Sequence, residues 1–205
     1  MKNSSLRSNQ EIFIDNLLAR FTEKEWINIF NTRPSVLISH SSIDGEVATA
    51  FVDFFSSLGI PSNQVLCSSN PDHAFVESSS FMQPIRRAII NGCFVVFILS
   101  NAFFESIPCQ IEIGATWVLK NPYSLVCLKS EILRTKSMFQ TPLDPMTPAI
   151  LIDSDVSTIA SQCKGLAKRL KEYFFELGNP IPDSTEGDYF TLANKLSKVH
   201  SATLC

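Results

Sequence analysis

The chain has 205 residues, of which 45% are hydrophobic and 18% are charged, and its net charge is −3. This size suits one domain with appendages, and the composition excludes an intrinsically disordered chain. The weak acidity gives no electrostatic basis for binding nucleic acid or an anionic membrane, and the longest apolar runs, about seven residues, are too short to cross a bilayer.

Residues 1–32 are predicted to form an N-terminal helical extension. They lack the apolar stretch of a secretory signal, so we expect a cytoplasmic protein. Apolar side chains recur here at spacings typical of amphipathic helices, among them Phe13, Leu17, Phe21 and Trp26. Two interpretations are open: the segment packs on the following domain, or it contacts a partner.

Strand and helix patterns alternate over residues 33–178, which we predict to be one domain. The apolar segments that predict strands are residues 35–39, 65–69, 93–99, 124–128 and 149–152. Helical patterns lie between them, and Gly59, Gly92 and Gly178 are placed to end three helices. The alternation predicts a doubly wound α/β fold with a five-stranded parallel sheet. For it we choose the strand order 2-1-3-4-5, with a ligand crevice beside strands one and three.

Residues 179–205 are predicted to be a C-terminal tail. The segment begins with Pro180 and Pro182, and a weak helical pattern follows between Tyr189 and Leu196. The pattern indicates no function for this tail.

Small polar residues follow the first three predicted strands, whose carboxyl ends should meet at one edge of the sheet. Hydroxyl, amide and backbone N–H groups at such an edge suit a ligand with sugar and phosphate groups. The alternative is that these residues only cap helices and form turns, as Asp44 is expected to do at the start of the first helix. The candidate substrate-binding residues are Ser39, His40, Ser41, Asp44, Ser68, Ser69, Ser100 and Cys109.

Glu112 is the candidate catalytic residue, because it lies between Ile111 and Ile113 in the helix that follows the third strand. Pro108 suits the first turn of that helix. Helical spacing divides the other residues between two faces. The face expected to point into the crevice contains Cys109, Glu112 and Thr116. The residues expected to face the sheet are Ile111, Ala115 and Val118, and Trp117 is expected to lie in the core.

Several other kinds of site are not predicted. The six cysteines have neither the paired spacing nor the nearby histidines of a zinc site, so no metal is expected. We interpret Cys67, Cys93 and Cys127 as buried apolar thiols. With seven glycines, the chain lacks a Gly-rich phosphate-binding loop, and it also lacks a nucleophile elbow. No bound cofactor is expected.

Three segments, taken together and in order, resemble the motifs of Toll/interleukin-1 receptor (TIR) domains of the bacterial type. They are residues 36–44 (VLISHSSID), residues 65–69 (VLCSS), and residues 95–106 (VVFILSNAFFES) followed by Cys109 and Glu112. The resemblance covers about residues 33–178. Residues 70–80 resemble the family's mobile loop, although they lack the glycine that bacterial members usually carry late in it.

The resemblance implies a flavodoxin-like fold and an activity. Many bacterial and plant members hydrolyse or cyclise NAD+ and release nicotinamide, and Glu112 occupies the position of their key glutamate. NAD+ is then a substrate rather than a cofactor. The resemblance also implies self-association of TIR domains and a role in antiphage or cell-suicide signalling.

Two other functions remain open. Receptor-type TIR domains signal by homotypic assembly without the glutamate, so a non-catalytic adaptor is the first alternative. A nucleoside deoxyribosyltransferase-like enzyme, which has a similar fold type and a catalytic carboxylate, is the second. NAD+ consumption separates the leading hypothesis from the adaptor, and a panel of nucleosides separates the two enzymes.

Overall fold

The computed structural model describes residues 35–67 and 82–203. The helical extension predicted over residues 1–32, and the candidate residues Ser68 and Ser69, lie outside these ranges. The strands are β1 (Val36–Ser39), β2 (Val65–Cys67), β3 (Phe94–Leu99), β4 (Tyr123–Cys127) and β5 (Ala149–Leu151). The α-helices are α1 (Gly45–Ser57), α2 (Met82–Ile90), α3 (Asn101–Glu105), α4 (Ile107–Val118), α5 (Lys136–Phe139), α6 (Val156–Glu176) and α7 (Glu186–Thr203). Short 3-10 helices cover Ser42–Asp44, Ser62–Gln64 and Ser130–Arg134.

The five strands form one parallel sheet in the order β2-β1-β3-β4-β5. This order confirms the predicted α/β architecture and is consistent with a flavodoxin-like fold. β1 and β3 lie side by side, with Val36 opposite Phe94 and Ser39 opposite Phe97. The strand order reverses at this pair, so the ligand crevice of such a sheet is expected over the carboxyl ends of β1 and β3.

Alternating strand side chains build a hydrophobic core on each face of the sheet. In β3, Val96 and Ile98 face one core while Phe97 and Leu99 face the other, and every residue of the strand is buried. The apolar sides of α1, α6 and α7 complete the first core, and those of α2 and α4 contribute to the second. Burial on both faces explains why the strand sequence is continuously apolar.

The ends of two helices follow directly from the sequence. Asp155 caps α6, because its carboxylate accepts hydrogen bonds from the backbone N–H groups of Ser157 and Thr158, each at 3.0 Å. Gly59 follows α1 with a φ of +78°, a conformation that favours glycine. Among the described residues, no helix is both long enough and apolar enough to cross a membrane.

The C-terminal helix α7 shares the core formed by α1 and α6. It is longer than the weak pattern between Tyr189 and Leu196 indicated, and its buried apolar residues include Leu192 and Leu196. The segment before it approaches Gly59 so closely that a Cβ there would lie 2.7 Å from Pro182 Cγ. The part of residues 179–205 that the structure describes therefore packs as an integral layer of the fold.

Helix α4 differs from the prediction in the face that it turns inward. Its buried residues are Cys109, Glu112, Ile113 and Thr116. Ile111 and Val118 are 55% and 58% exposed, so the prediction that they face the sheet is wrong, whereas Ala115 is half-buried against the core. Trp117 is 60% exposed, so its predicted core position is also wrong. Apolar residues lie on both sides of this helix, and the side that is buried also carries Glu112, whose carboxyl accepts a hydrogen bond from Ser39.

Candidate functional site

An open cleft of about 590 Å³ lies at the carboxyl edge of the sheet. Its walls come from the segment that follows β1, from α3 and the first turns of α4, and from Ile85 of α2. This volume lies within the range of small-molecule binding sites. The predicted site residues that line the cleft are Ser39, His40, Ser41, Cys109 and Glu112.

A hydrogen bond between Ser39 and Glu112 joins the two walls of the cleft. The Ser39 hydroxyl at the end of β1 donates to Oε2 of Glu112 on α4, although the two residues are 73 positions apart in the sequence. Glu112 is only 5% exposed, yet it lines the cleft. A carboxyl group that is buried among apolar neighbours and still reaches a cleft is a common property of functional sites.

The environment of Glu112 favours its neutral form. Burial raises the pKa of the Glu112 carboxyl from its ordinary value near 4.5 to about 7, and the hydrogen bond from Ser39 opposes this rise. No lysine or arginine is among the described residues that line the cleft, so no fixed cation there offsets the cost of ionisation. Both protonation states of Glu112 are therefore populated near neutral pH.

Asp44 forms a second buried carboxylate interaction near the cleft. Its Oδ2 accepts a hydrogen bond of 2.6 Å from Ser100 Oγ, which in turn accepts one of 3.0 Å from the backbone N–H of Phe103 and so caps α3. Asp44 occupies the N-cap position of α1, as predicted, but its side chain makes no capping hydrogen bond there. Burial raises the pKa of Asp44, and the Ser100 hydrogen bond opposes this. Asp44 and Ser100 do not line the cleft. Their hydrogen bond connects the segment after β1 to the start of α3.

His40 contributes a polar but uncharged surface to the cleft. Its Nδ1 lies 3.2 Å from the carbonyl oxygen of Ile38, to which it donates. Burial lowers the pKa of His40 below its ordinary value of 6.5, although the Ile38 contact and the charge of Asp44 oppose this. The imidazole is therefore neutral at pH 7.

Cys109 lines the cleft one turn before Glu112 but is not an activated thiol. Burial raises its pKa to about 11, and the neighbouring Ser106 hydroxyl opposes this effect. The protonated thiol is a weak nucleophile, so Cys109 contributes packing and shape.

Three polar residues that line the cleft are absent from the predicted site: Ser42, which follows the predicted Ser41, and Glu105 and Ser106. Glu105 is the last residue of α3 and is exposed, and Ser106 directly precedes α4. Glu105 and Ser106 both line the cleft. Their position at the junction between two helices just after β3 is the signal that could have identified them, because that junction must lie at the carboxyl edge.

The described residues contain no group of three or more histidine, cysteine or acidic side chains able to hold a metal ion. The cysteines of the described part are free and buried: Cys67, Cys93, Cys109, Cys127 and Cys163.

Comparison with curated proteins finds a similar protein in Bacillus subtilis (strain 168), the uncharacterized protein YddK. The two are 31% identical over 123 residues, which is 57% of this chain. The matching region covers 46% of YddK, so it spans about half the length of that relative. No protein-family model matches this chain, and no solved structure matches it.

Proposed function

We propose that this chain is a TIR-domain enzyme that breaks the bond between nicotinamide and ribose in NAD+, with Glu112 as its catalytic residue. The observation that carries the proposal is the buried Glu112 carboxyl, which Ser39 holds at a cleft beside the carboxyl ends of β1 and β3. Two of the segments that resemble the TIR family, residues 36–44 and residues 95–106 with Cys109 and Glu112, supply most of the cleft walls.

The proposed chemistry needs only one well-placed carboxylate. When the C1′–N1 bond breaks, both bonding electrons go to nicotinamide, which leaves as a neutral molecule and needs no general acid. Positive charge then develops on the ribose, and an ionised Glu112 stabilises it, as carboxylates do in glycosidases. Water bonds to C1′ and loses a proton to give ADP-ribose, or an adenine nitrogen of the same molecule attacks C1′ to give a cyclic product.

The direct test is NAD+ consumption by the full chain and by its Glu112→Gln variant, which keeps the shape of the side chain. We expect the variant to lose at least about a hundredfold in turnover, the usual effect of removing a preorganised stabilising group. Glu176→Gln is the matched control, because Glu176 is exposed at the last residue of α6, whose C-terminal end lies at the opposite edge of the sheet. Chromatography of the products distinguishes hydrolysis from cyclisation.

Three results would contradict the proposal. Full activity of the Glu112→Gln variant removes this residue from the mechanism. NAD+ left intact by the wild-type chain, also at high protein concentration with a crowding agent, favours the non-catalytic adaptor. A substrate panel in which only deoxyribonucleosides react favours the deoxyribosyltransferase-like enzyme.

Self-association is the second part of the proposal, and an exposed apolar face of α4 supports it. Ile107 is 73% exposed, and Ile111 and Val118 continue the same stripe along the helix. Exposed apolar stripes of this kind mark protein contact sites, and we propose a second copy of the chain as the occupant. Light scattering tests this: Ile111→Glu should reduce the concentration-dependent rise in mass, whereas Phe175→Glu, at an exposed residue of α6, should not. An equal effect of both substitutions contradicts the assignment.

The cellular setting is also part of this proposal. We propose that the enzyme removes NAD+ in the cytoplasm as part of antiphage or cell-suicide signalling. The resemblance to TIR domains supports this role. Depletion of cellular NAD+ on expression of the wild-type chain, but not of the Glu112→Gln variant, is the expected result.

A further inference from the structure

We infer that α4 packs against α4 of a second copy of the chain and that the two helices cross at Gly114. The inference rests on the self-association in the proposed function and names the contact through which it occurs. Two observations carry it: the exposed face of α4 has no charged residue, and no contact in the described part of the chain requires Gly114 to be small.

Helix α4 carries its charge on the inside and its apolar side chains on the outside. Glu112 is the single charged residue of positions 107–118, and it is buried. Ile107, Ile111 and Val118 are each more than half exposed. The outer face of a surface helix ordinarily carries charged and polar side chains. This face therefore has the composition of a contact surface rather than of one that faces solvent.

Gly114 lies in the middle of this exposed stripe. With 3.6 residues per turn, positions 107, 111, 114 and 118 fall within about 60° of one another around the helix axis. The buried Thr116 lies on the opposite side of the helix. The two isoleucines, the glycine and the valine thus form one line along α4, in which the glycine is a gap between larger side chains.

Nothing in the described part of the chain accounts for a glycine at position 114. A Cβ built there would meet no atom within 4 Å, and the backbone is not in the left-handed conformation that explains Gly59 and Gly92. Glycine inside a helix is less favourable than alanine, which would fit this position in the single chain. A requirement for glycine here therefore comes from a partner that approaches the helix backbone closely.

Gly165 shows that an open glycine alone does not mark a contact. It lies inside α6, is exposed, and also has no atom within 4 Å of a built Cβ. Its neighbours one turn further along the helix are Lys168 and Arg169, which are charged. The apolar stripe and the open glycine coincide at Gly114, so Gly165 provides the matched control.

A second copy of the chain suits this face. In a two-fold contact the same surface meets itself, so a charge on the face would lie near a like charge of the partner. The stripe on α4 contains no charge, and its central glycine lets the two helix axes come closer than the usual separation of about 8–10 Å. One helix from each copy makes a small interface, below about 1,200 Å² in total, so we expect a weak, concentration-dependent dimer.

Gly114→Cys in the full chain tests the crossing point directly. A residue on a two-fold axis meets its own copy, and a disulfide forms only when the two Cα atoms lie within about 7 Å. With copper phenanthroline and air as the oxidant, we expect more covalent dimer on a non-reducing gel than the wild type gives. Gly165→Cys should give no more than the wild type, which measures the contribution of the natural cysteines.

Gly114→Leu tests the need for close approach. The leucine fills the gap between the helices, and we expect the dissociation constant of the dimer in sedimentation equilibrium to rise at least about tenfold. Gly165→Leu, the same change on α6, should leave the dissociation constant unchanged. Both variants should keep a native circular dichroism spectrum, because a Cβ at either position has open space around it.

The outcomes separate this inference from the proposed function. A Gly114→Leu chain that dimerises as tightly as the wild type overturns the crossing point, even where Ile111→Glu weakens the dimer and so supports the α4 face. Equal disulfide formation by Gly114→Cys and Gly165→Cys overturns it as well. A wild-type chain that stays monomeric at high concentration overturns both this inference and the proposed self-association. Cleavage of NAD+ is measured in a separate assay, so the proposed activity stands or fails independently of the contact.

Discussion

Ser39 and Glu112 connect the end of the first strand to the helix after the third strand through one hydrogen bond. The Ser39 hydroxyl donates to Oε2 of Glu112, and both side chains are almost fully buried at the edge of the cleft. This bond favours the ionised form of Glu112, while burial favours the neutral form. The balance between the two effects determines the pH range in which the proposed enzyme contains an active carboxylate.

Ser39→Ala is expected to move the activity of the enzyme to higher pH. Loss of the donor removes the interaction that lowers the pKa of Glu112, so the carboxylate is less populated at pH 7. The acidic limb of the profile of kcat/KM against pH should therefore shift upward, with a lower rate at pH 7 and a recovery at higher pH. Ser42→Ala, at an exposed serine of the same cleft, is the matched control. An equal loss at every pH would indicate a role in binding instead.

Glu112→Gln is expected to stabilise the fold at neutral and alkaline pH. The folded-state pKa of about 7 lies above the ordinary value near 4.5, so ionisation opposes folding between these values and above. At about 1.4 kcal/mol per pKa unit, the free energy of unfolding of the variant should exceed that of the wild type by up to about 3 kcal/mol above pH 7. The advantage should disappear well below pH 4.5, where the Glu112 carboxyl is protonated in both the folded and the unfolded wild-type chain.

Urea unfolding at several pH values measures this difference. A gain in stability that accompanies the loss of activity shows that Glu112 is retained at a cost to the fold, as expected of a functional group. A variant that is less stable than the wild type at pH 8 contradicts this prediction and would make Glu112 a structural residue.

Ser100→Ala is expected to destabilise the domain through two separate contacts. The Ser100 hydroxyl caps α3 and also donates to Asp44 at 2.6 Å. Loss of a cap costs about 1 kcal/mol, and an unpaired buried carboxyl group costs about 1 to 3 kcal/mol more. A double-mutant cycle with Asp44→Ala separates the two: the double variant should be less destabilised than the sum of the single ones. Additive effects would mean that the hydrogen bond contributes nothing.

The fold was largely predictable from local patterns. A strand such as Phe94–Leu99 is apolar at every position because the sheet is covered on both faces, and such runs are short and easily located. Gly59 ends its helix through a left-handed conformation that the sequence signals directly. The contribution of α7 was not predictable, since its apolar pattern is weak and its packing depends on distant surfaces of α1 and α6.

The position of the cleft was predictable from the sequence, but the face of α4 that is buried beside it was not. Strand ends mark the edge at which Ser39 and Glu112 meet, so a parallel sheet brings them near each other. Helical spacing could not decide that α4 buries Glu112 and exposes Ile111, because both sides of the helix contain apolar residues. The buried Glu112 carboxyl finds its donor, Ser39, 73 residues away in the sequence, and no local pattern reveals this pairing. Glu105 was missed because only its position just after β3, and not its residue type, indicates that it lies at the carboxyl edge of the sheet.

Leu196→Ala is expected to show that the C-terminal helix contributes to the stability of the whole domain. Leu196 is fully buried in the core that α7 shares with α1 and α6. Truncating a buried leucine costs about 2 to 5 kcal/mol, through lost burial and the cavity that remains. Phe190→Ala is the control, since Phe190 is 44% exposed on the same helix and should cost less than about 1 kcal/mol. Urea unfolding should show one cooperative transition at a lower midpoint for Leu196→Ala. A separate early transition would instead mean that α7 unfolds independently of the sheet.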